Sequence, residues 1–418
     1  MDAKYFLELS SGLQYEFAEN QKNIASDSIT LNDRGVHLLL EKKGDGSRSG
    51  RDLLKQAAQG GDLHAIYNLG LSYALGLGGG RSLGEAIGWF EKGATAGHAG
   101  CQYRLGLFYL EGKGITWDMS EAAHWFMEAA EQGYSLAQFM VGQLYQEGRG
   151  LPQEPEEAAR WYEKAARQGH RQAAYQLAFM HEMGEGVKRN PRTAVTWYTQ
   201  AAKDGLREAQ FQLAVAYERG LGVKRDLALA LQWYRKAAVQ GHVASQNNVA
   251  VLLASQSKEY KEAMYWFQRA AEEGHSKAQQ NLGMFYLSGL AGVRNNVLAY
   301  FWFSVAASNG EMASMEGRAT AAGRMSFGQY TAAESLFRDW RLAYDLKELP
   351  KVMTVVGSTA ASEAAAGGII GLADAPPVMH WPPGTWPQEI LNPELQLQPA
   401  GGGTGGDKSN APLPRFNE

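Results

Sequence analysis

The stretch RWYEKAARQGHRQAAYQLAFMHEMGEGV, residues 160–187, carries the pattern that decides the fold. Trp161 and Tyr162 come first, then the small pair Ala165 and Ala166, then Gly169 and His170. Outward from this stretch, Trp89, Trp125, Trp161, Trp197 and Trp233 are spaced 36 residues apart. Trp266 follows after 33 and Trp302 after another 36. The short interval coincides with VLLASQSKEYKEA, which lacks the glycine-bearing loop of other units, such as GEGVKRNPRTA. Gly61, Gly97, Gly133, Gly169, Gly205, Gly241, Gly274 and Gly310 keep the same beat. Tyr73, Tyr109, Tyr145, Tyr217 and Tyr286 share another position, where His181 and Leu253 substitute. A period of this size means stacked supersecondary units, each too small to bury its apolar face alone.

Each unit reads as two helices. The first has small or apolar residues at helical spacing, as in Ala137, Val141, Gly142 and Tyr145, and ends at a Gly-x-Gly turn such as Gly148 and Gly150. The second carries Ala158, Trp161, Tyr162, Ala165 and Ala166, and Pro155 and Pro191 sit where a first-turn proline is tolerated. The small residues let helices approach closely, and the tryptophan is expected to fill the space between neighbouring units.

The pattern Ala-x-x-Trp-[Phe/Tyr]-x-x-Ala-Ala-x-x-Gly-His, followed by Ala-x-x-x-Leu-Gly-x-x-Tyr-x-x-Gly-x-Gly-Val, resembles the Sel-1-like repeat, a tetratricopeptide-type helical repeat. Seven units match over residues 62–310, and residues 26–61 resemble a degenerate capping repeat, with Gly35 in the Leu-Gly position and Leu53 in the Trp position. The resemblance implies an all-α fold: a right-handed superhelical α-solenoid of stacked antiparallel helix pairs, with repeats of about 36 residues. Residues 311–346 read as C-terminal capping helices, and residues 1–25 as an N-terminal segment with helical potential. Residues 347–418, with DAPPVMHWPPGTWP and GGGTGGDKSNAPLP, read as a largely disordered Pro/Gly-rich tail.

Charge is balanced at 40 basic against 44 acidic residues, which argues against nucleic-acid binding driven by bulk charge. No stretch of about 18 apolar residues predicts a transmembrane segment, and the N-terminus lacks the pattern of a secretory signal. The expected location is therefore cytoplasmic, with export by a non-standard route left open. The single cysteine, Cys101, permits no intrachain disulfide and fits a reducing compartment.

Candidate chemistry resolves into structure. GGTGGDKS, residues 402–409, lacks the glycine before Lys-Ser of a phosphate loop, and GLGGGRS, residues 76–82, falls on an inter-helix turn. His98, His170, His242 and His275 recur because the repeat carries Gly-His, and repeats about 10 Å apart cannot share one metal ion. His181-Glu182 lacks the second histidine of a zinc-protease helix. Cys101 takes a slot that Ala65, Ala137, Ala173 and Ala209 hold elsewhere, which reads as a small buried residue. The expectation is no catalytic residue, no metal and no cofactor.

The resemblance implies that first helices line a concave binding surface. The position just before Leu-Gly holds Asn68, Arg104, Met140, Gln176, Gln212, Asn248 and Asn281, mostly polar, and is expected to face away from the small-residue seam. Glu111, Glu147 and Arg219 lie seven residues further on, and His181 lies nearby. Amide side chains in a column suit the backbone of an extended peptide. Trp381 and Trp386 in HWPPGTWP offer a second partner motif in the tail. The function expected is a non-enzymatic protein-binding scaffold or adaptor, bacterial in source. The alternatives are an exported effector or host-interaction factor and, behind it, a hydrolase using His181, Glu182 and Glu185.

Overall fold

A computed structural model describes residues 30–41, 45–292 and 294–345. The N-terminal segment and the tail, with Trp381, Trp386 and the glycine-rich 402–409 stretch, lie outside the described residues. Those described form eighteen α-helices and no strand. In chain order these are α1 (Leu31–Glu41), α2 (Asp45–Gln59), α3 (Leu63–Leu75), α4 (Leu83–Thr95), α5 (Ala99–Glu111), α6 (Met119–Glu131), α7 (Ser135–Glu147), α8 (Pro155–Arg167), α9 (Arg171–Met183), α10 (Pro191–Lys203), α11 (Arg207–Arg219), α12 (Leu227–Val239), α13 (Val243–Leu252), α14 (Tyr260–Glu272), α15 (Ser276–Ser288), α16 (Asn296–Ser308), α17 (Ser314–Gly323) and α18 (Phe327–Asp345). They fall into two units by their contacts, Met1–Ala209 with Gly220–Lys224, and Gln210–Arg219 with Arg225–Glu418. Within each, consecutive helices pack as antiparallel pairs, and the last helix, α18, packs on α16.

The helix ends follow from sequence chemistry. First helices close on a glycine in the left-handed conformation, such as Gly148 (φ 67°) and Gly184 (φ 82°), where other residues are strained. Five second helices start at a side-chain cap: Ser82, Asp118, Asn190, Asp226 and Asn295 each accept a backbone N–H of the first turn. The 33-residue repeat replaces the glycine loop by one π-turn, Leu253–Ser257, closed by Lys258 at φ 56°.

Packing adds a second aromatic position that the sequence reading did not single out. The tryptophans pack towards the preceding repeat, as Trp125 and Trp161 do, and the aromatic residue after the tryptophan fills the centre of each pair. Phe90, Phe126, Tyr162, Tyr234 and Phe267 are fully buried, and Tyr198 and Phe303 nearly so. Each such burial contributes about 1.5–3 kcal/mol relative to exposure. The ring lies against the glycine of Leu-Gly: a Cβ on Gly70, Gly106, Gly142 or Gly283 would come within 2.8 Å of Phe90, Phe126, Tyr162 or Phe303. Trp89, Trp125, Trp197 and Trp233 are only half-buried, whereas Trp161, Trp266 and Trp302 are enclosed. Lys92, Lys164 and Lys236 lie over the rings of Trp89, Trp161 and Trp233 at 4.1, 3.5 and 3.9 Å.

A relay of amides ties the helices together. In the repeat beginning with α5, Gln102 donates to the carbonyl of Ala94 at the end of the preceding second helix (3.3 Å) and accepts from Gln132 at the end of its own (2.7 Å). Gln138 repeats this with Ala130 (3.1 Å) and Gln168 (2.7 Å), and Gln279 with Ala271 (3.0 Å) and Asn309 (2.9 Å). Ala174 cannot take part, and Gln200 reaches the Ala166 carbonyl instead (2.7 Å), beside the Gly169 N–H that this carbonyl also accepts (3.0 Å). Gln246 donates to Ala238 (3.5 Å), but the position that should donate to it holds Glu273, and the enclosed Gln246 Oε1 has no partner. An enclosed acceptor without a donor is destabilising, so Glu273→Gln is expected to raise unfolding stability by about 1 kcal/mol, read by urea denaturation. An unchanged or lower midpoint would show that Glu273 already serves that site.

Candidate partner-binding surface

The polar position before Leu-Gly does not form a uniform surface. Asn68, Gln176, Gln212 and Asn248 are half-buried, but Arg104 is 8 % exposed and Asn281 is fully enclosed. The column as read from the sequence is corrected there. In the first unit Asn68 donates to Asn32 (2.9 Å), and the Arg104 Nε donates to the Tyr67 hydroxyl (3.3 Å). In the second, Asn281 donates to Asn247 (3.4 Å), which donates to Asn248 (3.2 Å). Polar side chains in this register are thus partly spent on hydrogen bonds between successive first helices, which draws some of them inward. Gln176 on α9 and Gln212 on α11 keep partial exposure.

Around this register, Glu111 pairs with Lys113 (2.6 Å), and the exposed Glu147 pairs with Arg149 (3.1 Å). Arg219 is exposed. His181 is half-buried, with its Nδ1 enclosed and without a partner. Glu182, the carboxylate a hydrolytic reading would need beside it, accepts the Tyr198 hydroxyl (2.7 Å), and Glu218 accepts that of Tyr234 (2.6 Å). Burial and these carboxylates raise both phenols well above the usual tyrosine range. Cys101 is enclosed, and burial pushes its thiol up to about 12, which suits packing and not nucleophilic attack. Among the described residues no group of three or more His, Cys, Asp or Glu could hold a metal ion, and no helix is long and apolar enough to cross a membrane.

The histidine series has a role that the sequence reading missed. The Nδ1 atoms of His98, His170, His242 and His275 accept the backbone N–H of Cys101, Ala173, Ser245 and Ala278 at 3.1–3.2 Å, so these rings are N-caps. Asp62 does the same work for α3. Three rings also meet an aromatic on the preceding first helix: His98 with Tyr67 at 5.4 Å, His170 with Phe139 and His242 with Phe211, both at 4.6 Å. The signal was present: Tyr67, Tyr103, Phe139, Tyr175 and Phe211 recur every 36 residues.

Burial, joined for His98 by the neighbouring His64, lowers His98 to about 4; burial lowers His170 to about 4 and moves His275 the same way. The folded state therefore holds these rings neutral, and the unfolded chain binds protons first, near pH 6.5. Their stabilisation is complete above about pH 6.5 and is lost as pH falls towards about 4. Stability is expected to drop across this window, and the double substitution His98→Asn and His170→Asn, which caps without titrating, is expected to flatten the drop. Urea midpoints at pH 7, 5.5 and 4.5 for both proteins check this; parallel curves would remove the caps as its cause.

Seven consecutive segments, residues 63–98, 99–134, 135–170, 171–206, 207–242, 243–275 and 276–311, match the Sel1 repeat. The chain belongs to the Sel1 repeat family. Sel1 repeat proteins generally mediate protein–protein interactions, and the fold is typically a non-catalytic interaction scaffold. Among solved structures, a protective antigen present in uropathogenic Escherichia coli strains and displaying an SLR fold is similar at 29% identity and a TM-score of 0.68, covering 78% of this chain and 70% of its own. A Sel1 repeat protein from Oxalobacter formigenes is similar at 30% identity and a TM-score of 0.51, covering 58% of this chain and 97% of its own. A search of curated proteins returned no match.

Proposed function

We propose that the chain is a scaffold without a reaction of its own, binding an extended segment of a protein partner along its first helices. The observation that carries this reading is the register of the first helices, which returns a polar side chain in most repeats, with Gln176 in the first unit still partly exposed. Amides with both donor and acceptor suit a peptide backbone and tolerate many side chains. The occupied Glu182 and the capping role of the histidine series support a binding role over catalysis. Near-balanced charge favours a protein over a nucleic acid, and a single enclosed thiol fits a reducing cytoplasm.

Photo-cross-linking in native lysate tests this. A benzophenone amino acid at Gln176 is expected to capture a defined partner, and one at the exposed Arg160 on α8 is not. Capture only from Arg160, or from neither, would overturn the assignment.

A second reading is favoured by one observation: the similar Escherichia coli protein is a protective antigen. On this reading the chain is exported and meets host molecules. Finding it in culture supernatant without a lysis marker would support export; retention in the cell pellet would return it to the cytoplasm.

A further inference from the structure

Arg104 is the single cation in its register, where other repeats hold Asn, Met or Gln. It is 8 % exposed, and among the described residues no carboxylate acts on it. The titratable groups that surround it are the tyrosines 67, 103 and 134. They come from three successive repeats: Tyr67 on α3, Tyr103 beside it on α5, and Tyr134 at the start of α7. Tyr103 and Tyr134 are in ring contact at 5.4 Å, and the Arg104 guanidinium carbon lies 5.9 Å from the Tyr103 ring.

Removing a guanidinium from water is unfavourable unless a counter-charge compensates it. Among the described residues only the Tyr67 hydroxyl is bonded to Arg104, and it takes Nε. The two Nη groups have no protein partner there, yet they are not among the enclosed unpartnered atoms. The residual exposure is therefore at this end of the side chain. Tyr67 fixes the fork by its base, and the Nη pair presents the planar edge that receives a carboxylate by two parallel hydrogen bonds. Neutral hydroxyls around it orient the charge without neutralising it.

We propose that Arg104 is the anchor for a carboxylate of the bound peptide segment, an inference that rests on the first-helix face being the peptide-binding surface. The source is an Asp or Glu side chain, or a C-terminal carboxylate. The guanidinium selects for the group, and the neighbouring amides hold the backbone that carries it.

The test is fluorescence anisotropy on the full chain with three fluorescein-labelled nonapeptide pools, degenerate at all positions but the centre and with Asp and Glu left out of the degenerate positions. One has central Asp and an amidated end, one central Asn and a free carboxylate end, and the control central Asn and an amidated end. The wild type is expected to bind one carboxylate pool at least tenfold more tightly than the control, and the preferred pool identifies the source. Arg104→Gln is expected to bind all pools at the control affinity. Tyr67→Phe, which keeps the ring, is expected to retain a reduced preference. Arg104→Met, freed of the uncompensated charge, is expected to melt at or above the wild-type temperature.

Equal wild-type affinity for all pools overturns the anchor and leaves the peptide surface standing. Binding of no pool overturns the surface and the anchor with it. A lower melting temperature for Arg104→Met with affinity lost equally for every pool assigns Arg104 to structure and overturns the anchor. An unaltered preference in Arg104→Gln does so too.

Discussion

The contact on which each repeat depends is an aromatic ring laid on a helix backbone that carries only glycine or alanine beneath it. Gly142 under Tyr162 shows the constraint: the space a Cβ would need is already filled by the ring. Ala178, Ala214 and Ala250 hold the same slot in other repeats, so a methyl is the largest group this chain places there. Close approach of the two helices, deep burial of the ring and the pitch from one repeat to the next all follow from it. The contact is local in sequence, about 20 residues across, which suits a fold assembled one unit at a time.

Polar order is laid over this apolar frame. Helix termini leave carbonyls and amides without intrahelical partners, and in a stack many of these ends face a neighbour instead of water. The glutamine relay and the histidine caps meet that demand with side chains that reach across repeats. Gln138 joins three helices through one amide, and His170 caps its own helix while stacking on the preceding one. Packing supplies the larger energy, and these bonds fix the register in which it is realised.

The period, the helix pairs and the glycine-closed turns were legible because each has a strong local signal: a spaced aromatic, a small-residue pair, an obligatory left-handed glycine. Two adjacent aromatics were harder. Trp161 and Tyr162 differ by about 100° around the helix, and a wide apolar stripe accommodates both, so the pattern alone did not single out the ring at the centre of the pair. Exposure in the polar column was harder still. Arg104 and Asn281 look like surface residues by type, but Tyr67 and Asn247 on the neighbouring repeats draw them inward. Side-chain type records what a residue can do in water, and only the fold says how much water remains. The histidine caps escaped notice because N-cap patterns are written for Ser, Thr, Asp and Asn.

The exchange at Ala174 and Gln200 bears on how such a chain grows. Both residues lie within one 36-residue block, residues 171–206: Ala174 lacks the donor, and Gln200 supplies it to the carbonyl of Ala166 in the block before. A block that brings its own donor can be copied, lost or moved as a whole by unequal recombination without stranding the neighbour's polar end. Length can change in whole steps while each junction stays intact, and the unit of inheritance coincides with the unit of packing.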